Sequence, residues 1–340
     1  MERFNDALKG EPKDHLPILP SVSGWAVANF SDFPLSKIVL EPKRIAEAQI
    51  RAKEAMGYDC LYPHADPLYI PEAFGCTVRF LETGPLADPL PFTIMCLEDI
   101  DRIPLPDPRG EGRIPVILET ARELSTYSGG DIPVLGVFEG PFTTSCRIIE
   151  ADWIMRMFFK NPKVLEALLD KVNGFLLEFG HALIENGANI LFIPEPTSSA
   201  SMISPTMFRR FVLPGLQKLI SKLDVPCILH ICGDTYPILG AMEQTGAKVL
   251  SLDQCMSLSE SREIVPKVVL GGNVDPVKSL LMGTREDVVK DTLHSLRTGG
   301  GSRYIFMTGC AVPPKTPIEN LEIMIKTAIE YGLGPGPRCD

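Results

Sequence analysis

In Cys227-Ile228-Leu229-His230-Ile231-Cys232-Gly233-Asp234 an imidazole and a thiol stand two residues apart in a β-prone apolar run. On a strand that spacing puts both side chains on one face. A second thiol, Cys310, ends another such run, Phe306-Met307-Thr308-Gly309-Cys310. Two thiolates and one imidazole suit zinc and disfavour magnesium or calcium. Catalytic zinc commonly takes three protein ligands and leaves one position for water or substrate. Glu195, in Phe192-Ile193-Pro194-Glu195-Pro196, is the candidate fourth ligand, displaceable by substrate. The competing reading is packing: nine cysteines are scattered along the chain, and in a reducing compartment most such thiols are small buried hydrophobes.

Residues so far apart in sequence need a scaffold that gathers them. Eight short β-rich runs alternate with helical stretches, at 16–23, 60–66, 132–139, 189–195, 227–232, 248–253, 268–273 and 304–310. Apolar residues recur at helical spacing after Pro42 (Ile45, Ala48, Ala52) and after Asn161-Pro162 (Val164, Leu168, Val172). Ser204-Pro205 opens another helix, and Thr316-Pro317-Ile318-Glu319 reads as a capping box with a first-turn proline. Repeated βα units without Gly-x-Gly-x-x-Gly after the first strand favour an α/β closed (β/α)8 TIM barrel over a doubly wound sheet. One domain then spans 1–340. The proline-rich stretch 67–113 is too long for a plain connection and reads as an insertion between the second strand and the next helix, over one barrel mouth.

Active sites of this fold sit where the strands end. The ends here are polar: besides the metal candidates they carry Ser23, His64, Asp66, Glu139, Asp253 and Asn273, the candidate substrate-binding residues. His64 and Asp66 could serve as an acid or a hydrogen-bonding pair. Glu139 precedes Gly140-Pro141 and could instead anchor that turn, while Asp253 and Asn273 could orient substrate or satisfy loop backbone. Lys plus Arg number 33 against 43 Asp plus Glu, a net charge of −10 with no basic cluster, which argues against a nucleic-acid partner. No apolar run approaches the length of a membrane span and the N-terminus lacks a signal-peptide core, so a cytoplasmic protein with no membrane partner is expected.

The series His230-Ile231-Cys232-Gly233-Asp234, Gly271-Gly272-Asn273-Val274-Asp275-Pro276 and Gly309-Cys310 with Pro313 resembles the uroporphyrinogen decarboxylase superfamily. Within it, the resemblance is to the zinc-containing corrinoid-dependent methyltransferases, including methylcobamide:coenzyme M methyltransferases. Asp66 with Pro71-Glu72-Ala73-Phe74-Gly75, and the stretches 203–208 and 211–214, extend the resemblance over nearly the whole chain. It implies a (β/α)8 barrel, zinc on His230, Cys232 and Cys310, and methyl transfer between a corrinoid (cobalamin) protein and a small molecule. That molecule is either a thiol acceptor such as coenzyme M or a methyl donor such as a methyl ether or methanol. No cobalamin-binding Asp-x-His-x-x-Gly module is present, so the corrinoid arrives on a partner protein. Decarboxylases of the superfamily hold their substrate's carboxylates with an arginine-rich segment at the first strand, and residues 20–29 here contain no arginine. Two alternatives are carried forward: a decarboxylase-like lyase, and a non-catalytic barrel that binds a ligand or a corrinoid protein.

Overall fold

The computed structural model describes residues 1–11, 14–81, 84–90, 94 and 96–332; Pro91 of the proline-rich stretch and Cys339 fall outside them. Two short strands, β1 (Thr77–Leu81) and β2 (Gly84–Asp88), pair as an antiparallel hairpin. Six others form one parallel sheet in sequence order: β3 (Leu135–Val137), β4 (Ile190–Pro194), β5 (Cys227–Ile231), β6 (Val249–Leu252), β7 (Val269–Val274) and β8 (Tyr304–Thr308). These six are apolar on consecutive residues and buried almost throughout, as parallel strands covered by crossover helices must be. The in-order topology brings every C-terminal strand end to one side.

Six of the eight expected strands therefore form, and two are reduced to fragments. In 16–23 only Ile18 pairs, with Phe306, and in 60–66 only Leu61 pairs, with Val134. The reason lies in the prolines, which carry no N–H for a ladder: Pro17 and Pro20 bracket the first fragment and Pro63 cuts the second. Their backbone bonds still form a chain. Leu19 donates to Phe306 and Phe306 to Pro17, Asp59 donates to Ile18, and Leu61 exchanges bonds with Pro133 and Leu135. Ser23, expected at a strand end, begins the helix Ser23–Phe30.

The helix starts follow the sequence closely at Pro42–Met56 and Pro162–Glu185. Ser204 accepts from the Met207 amide as an N-cap. The capping box at Thr316 does not form. The helix Ile318–Tyr331 has Pro317 at its N-cap with no side-chain bond, and the Thr316 hydroxyl is buried without a partner. Trp25 Nε1 donates to the Thr316 carbonyl at 2.9 Å, so this residue is tied to the helix Ser23–Phe30 rather than to its own helix. Within 67–113 the described residues form the helix Tyr69–Ala73, the β1–β2 hairpin and a 3-10 segment, Leu97–Arg102. Aromatic contacts join the first of these to the core: Tyr69 packs at a tilt on Phe179, which meets Phe138 edge to face and stacks on Phe175.

Candidate metal centre

His230 stands on β5, Cys232 just past its end, and Cys310 just past β8. The turns that follow are made by glycine. Gly233 takes φ +77, and a Cβ on Gly309 would lie 2.5 Å from the Gln254 amide, so the loops after β5, β6 and β8 approach closely only without side chains there. His230 Nε2 then lies 3.3 Å from Cys232 Sγ, which lies 3.7 Å from Cys310 Sγ, and the three ligating atoms are within 4.8 Å of one another. Tetrahedral zinc with Zn–S of about 2.3 Å and Zn–N of about 2.0 Å needs sulfurs about 3.8 Å apart and sulfur to nitrogen about 3.6 Å. The set fits that ion, and the sulfurs are far beyond the roughly 2.05 Å of a disulfide.

A backing interaction fixes the imidazole. His230 Nδ1 is 3.2 Å from the carbonyl of buried Ser251 on β6; with that nitrogen donating, Nε2 turns its lone pair to the two sulfurs. Phe192 of β4 stacks on the ring with centroids 6.0 Å apart. The neighbouring Cys232 thiol and, with it, His230 hold the Cys310 thiol below its ordinary range, while the same contact and burial push Cys232 up. The neighbours of Cys310 thus favour its thiolate, the form a metal binds.

Glu195 is not among the side chains brought together in this cluster. Its carboxylate, fully buried, accepts from the amides of Phe142 and Thr143 at the start of the helix Pro141–Ile148, and burial raises it to about 8. Free N–H groups at a helix start attract a carboxylate, and Pro141 stands in the first turn of that helix. Asp253 and Asn273 also serve the loops. Asp253 accepts from the Gly233 and Cys255 amides. Asn273 donates to the carbonyls of Asp253 and Met256. Asn273→Ala removes both bonds, leaving the Asp253 carbonyl with only the Met256 amide, and is expected to cost about 1–3 kcal/mol in urea denaturation.

Ser23, His64 and Glu139 line one cavity of about 190 Å³, together with Ser21, Tyr62, Tyr69, Phe138, Phe192 and Ala311. Phe192, which stacks on His230, and Ala311, next to Cys310 in sequence, stand in the wall of this cavity. Glu139 is held by Arg147 through two bonds of 3.0 and 2.8 Å. His64 is buried, and its Nδ1 has no hydrogen-bond partner. Asp66 does not pair with it. The Asp66 carboxylate takes two bonds from Arg113, at 2.5 and 3.2 Å, and caps the Leu68 amide, while facing a larger outer cleft of about 750 Å³. Sequence reasoning missed Arg113, Arg147 and Ser251. Only Ser251 carried a signal, standing two residues before Asp253 in the run expected as a strand at 248–253.

Burial lowers the His64 pKa from 6.5 to about 4. A base with a lowered folded pKa contributes full stability above about 6.5 and loses it as pH falls through 4. His64→Leu should therefore flatten the loss of stability between pH 7 and 4.5 by about 2–3 kcal/mol, read from urea midpoints at the two pH values.

The uroporphyrinogen decarboxylase (URO-D) family matches residues 1–331. The chain belongs to this family. It is 30% identical to the methylcobamide:CoM methyltransferase MtbA of Methanosarcina mazei, the match covering 97% of each chain. It is 28% identical to the uroporphyrinogen decarboxylase of Geotalea daltonii, over 95% of this chain and 97% of that one. A solved methyltransferase from Methanosarcina mazei superposes with a TM-score of 0.89 at 27% identity, covering 97% of this chain and 98% of that one. Identity alone does not separate the two activities within the URO-D family; the residues of the site must. No helix among the described residues is long and apolar enough to cross a membrane.

Proposed function

We infer that this URO-D family chain is a methyltransferase that moves a methyl group from a corrinoid, carried by a partner protein, to the sulfur of a small thiol. The convergence of His230, Cys232 and Cys310 at zinc-ligand spacing carries this reading. A free thiol, with a pKa near 8.5, is mostly protonated at pH 7. Zinc held by these three residues would remove that proton and leave a positioned thiolate, which suits the names of the methyltransferase relatives. The chain's own residues do the rest. Ser251 orients His230, and Asp253 fixes the turn that carries Cys232. The aromatic walls of the inner cavity would exclude water from a small molecule bound there.

The decarboxylase reading has less support: no lysine or arginine is among the residues lining the cavity, whereas a substrate with several carboxylates needs charge-assisted partners. The sheet, on the same reading, closes as a (β/α)8 barrel in one domain, residues 17–19 and 59–61 supplying the two remaining staves through the bonds that join β8 to β3. The insertion 67–113 borders its mouth, with Pro67 and Pro85 in the wall of the outer cleft.

The test is demethylation of methylcobalamin by the zinc-loaded chain with 2-mercaptoethanol and 2-mercaptoethanesulfonate both supplied, followed by absorbance. Enzyme-dependent loss of methylcobalamin with formation of a methyl thioether is expected. No loss above the zinc-only control, in a folded zinc-loaded protein, contradicts the reading.

A further inference from the structure

Cys232 and Cys310 are the one pair of thiols in contact among the described residues, their sulfurs 3.7 Å apart. Both residues are only partly buried. Each stands past the last ladder residue of its strand, Ile231 of β5 and Thr308 of β8, beside a glycine that makes the turn. The pair is therefore carried on two loops that meet, 78 residues apart in sequence, and not inside a packed strand. The exposed thiols Cys96 and Cys255 have no such neighbour: each lies against an aspartate, Asp99 and Asp253.

Two sulfurs in contact react as a unit with a two-electron oxidant such as hydrogen peroxide. One sulfur attacks a peroxide oxygen as the O–O bond breaks, giving a sulfenic acid and water. The second sulfur then attacks the sulfenic sulfur and displaces another water. Two thiols and one hydrogen peroxide become one disulfide and two waters, both electrons coming from sulfur. A sulfenic acid with a thiol beside it condenses before it is oxidised further to a sulfinic acid. From 3.7 Å the sulfurs need to close by about 1.6 Å to reach the roughly 2.05 Å of the bond, less than a change of rotamer moves a sulfur. The bond takes both sulfur ligands, and His230 alone does not hold zinc. Reversal needs a small thiol, the class of acceptor this site is read to take: two such thiols and the disulfide give back Cys232 and Cys310 and leave the small molecule as its own disulfide.

We propose that Cys232 and Cys310 form a reversible redox switch, closed by peroxide into a disulfide that releases the metal and reopened by the acceptor thiol. This rests on the zinc-thiol reading of the site and adds its regulation. The centre is complete while small thiol is in excess over oxidant, and it is shut when the thiol is exhausted.

The zinc-loaded wild-type chain, free of reductant, is titrated with hydrogen peroxide. Released zinc is read with a chelating dye, cross-links by mass spectrometry of alkylated, unreduced peptides, and the fold by circular dichroism. Zinc release and a Cys232–Cys310 cross-link should rise together in equal amounts, with the spectrum of the folded chain kept. Addition of 2-mercaptoethanol and zinc should remove the cross-link and restore the metal. The variants Cys96→Ser and Cys255→Ser should give the same titration as the parent. Sulfinic acids on Cys232 and Cys310 without a cross-link, a cross-link to Cys96 or Cys255 in place of the expected one, or zinc loss that thiol does not reverse overturns the proposal. A chain that retains its zinc and forms no cross-link overturns the switch alone. A folded chain that never held zinc overturns the parent reading, and the switch with it.

Discussion

Replacing Cys310 with alanine is expected to lower methylcobalamin-dependent thiol methylation at least about 10³-fold, because the thiol loses the metal that deprotonates it and holds it in line. Cys310 lies just past the buried strand β8 and is itself only half-buried, so the substitution removes a ligand without opening a large core cavity. The fold should survive, with a thermal midpoint near that of the parent. Cys232→Ala should fall as far, and the double variant no further, since the two thiols act through one ion. Cys96→Ser, on an exposed thiol bonded to Asp99, should leave the rate unchanged. Equal losses in all three single variants would mean that cysteine replacement acts through stability rather than through a metal.

Arg113→Met should destabilise the protein by about 3–5 kcal/mol in urea denaturation, the cost of leaving a buried charge without its partner. The side chains of Arg113 and Asp66 are only 4% and 3% exposed, so solvent cannot take over the bond. The same guanidinium reaches Glu72 at 2.5 Å, tying the helix Tyr69–Ala73 to the start of the helix Ile114–Ser128. Adding Asp66→Leu to Arg113→Met should recover most of the loss, because it removes the stranded carboxylate. No recovery would show that the packing of the arginine stem, rather than its charge, holds this wall of the outer cleft.

The cluster of His230, Cys232 and Cys310 was legible in the sequence because its signal is local chemistry on a regular element. His230 and Cys232 share a strand face by spacing alone, and the barrel rule brings Cys310 to the same rim. The partners of Glu195 were not legible, because position at a strand end says nothing about competitors. The helix starting at Pro141 offers it two amides, and that meeting of β4 with the loop after β3 is a tertiary fact. His64 and Asp66 were legible as rim residues, but not their divorce: Arg113, far along the chain, claims Asp66 and leaves the imidazole unpartnered. The strands were read correctly where apolar runs are uninterrupted, from β3 to β8. They were overread at 16–23 and 60–66, where prolines leave single bridges in place of ladders. Thr316 shows the same limit at a helix start, where a remote tryptophan holds the peptide that a capping box would have used.

The central claim is that His230, Cys232 and Cys310 hold a zinc ion whose open position takes the acceptor's sulfur. X-ray absorption at the zinc edge, on the zinc-loaded chain before and after addition of 2-mercaptoethanol, reads this directly. The account predicts two sulfurs near about 2.3 Å and one nitrogen near about 2.0 Å, rising to three sulfurs with the thiol. A folded chain that retains no zinc, or a sulfur count that the thiol leaves unchanged, would contradict it.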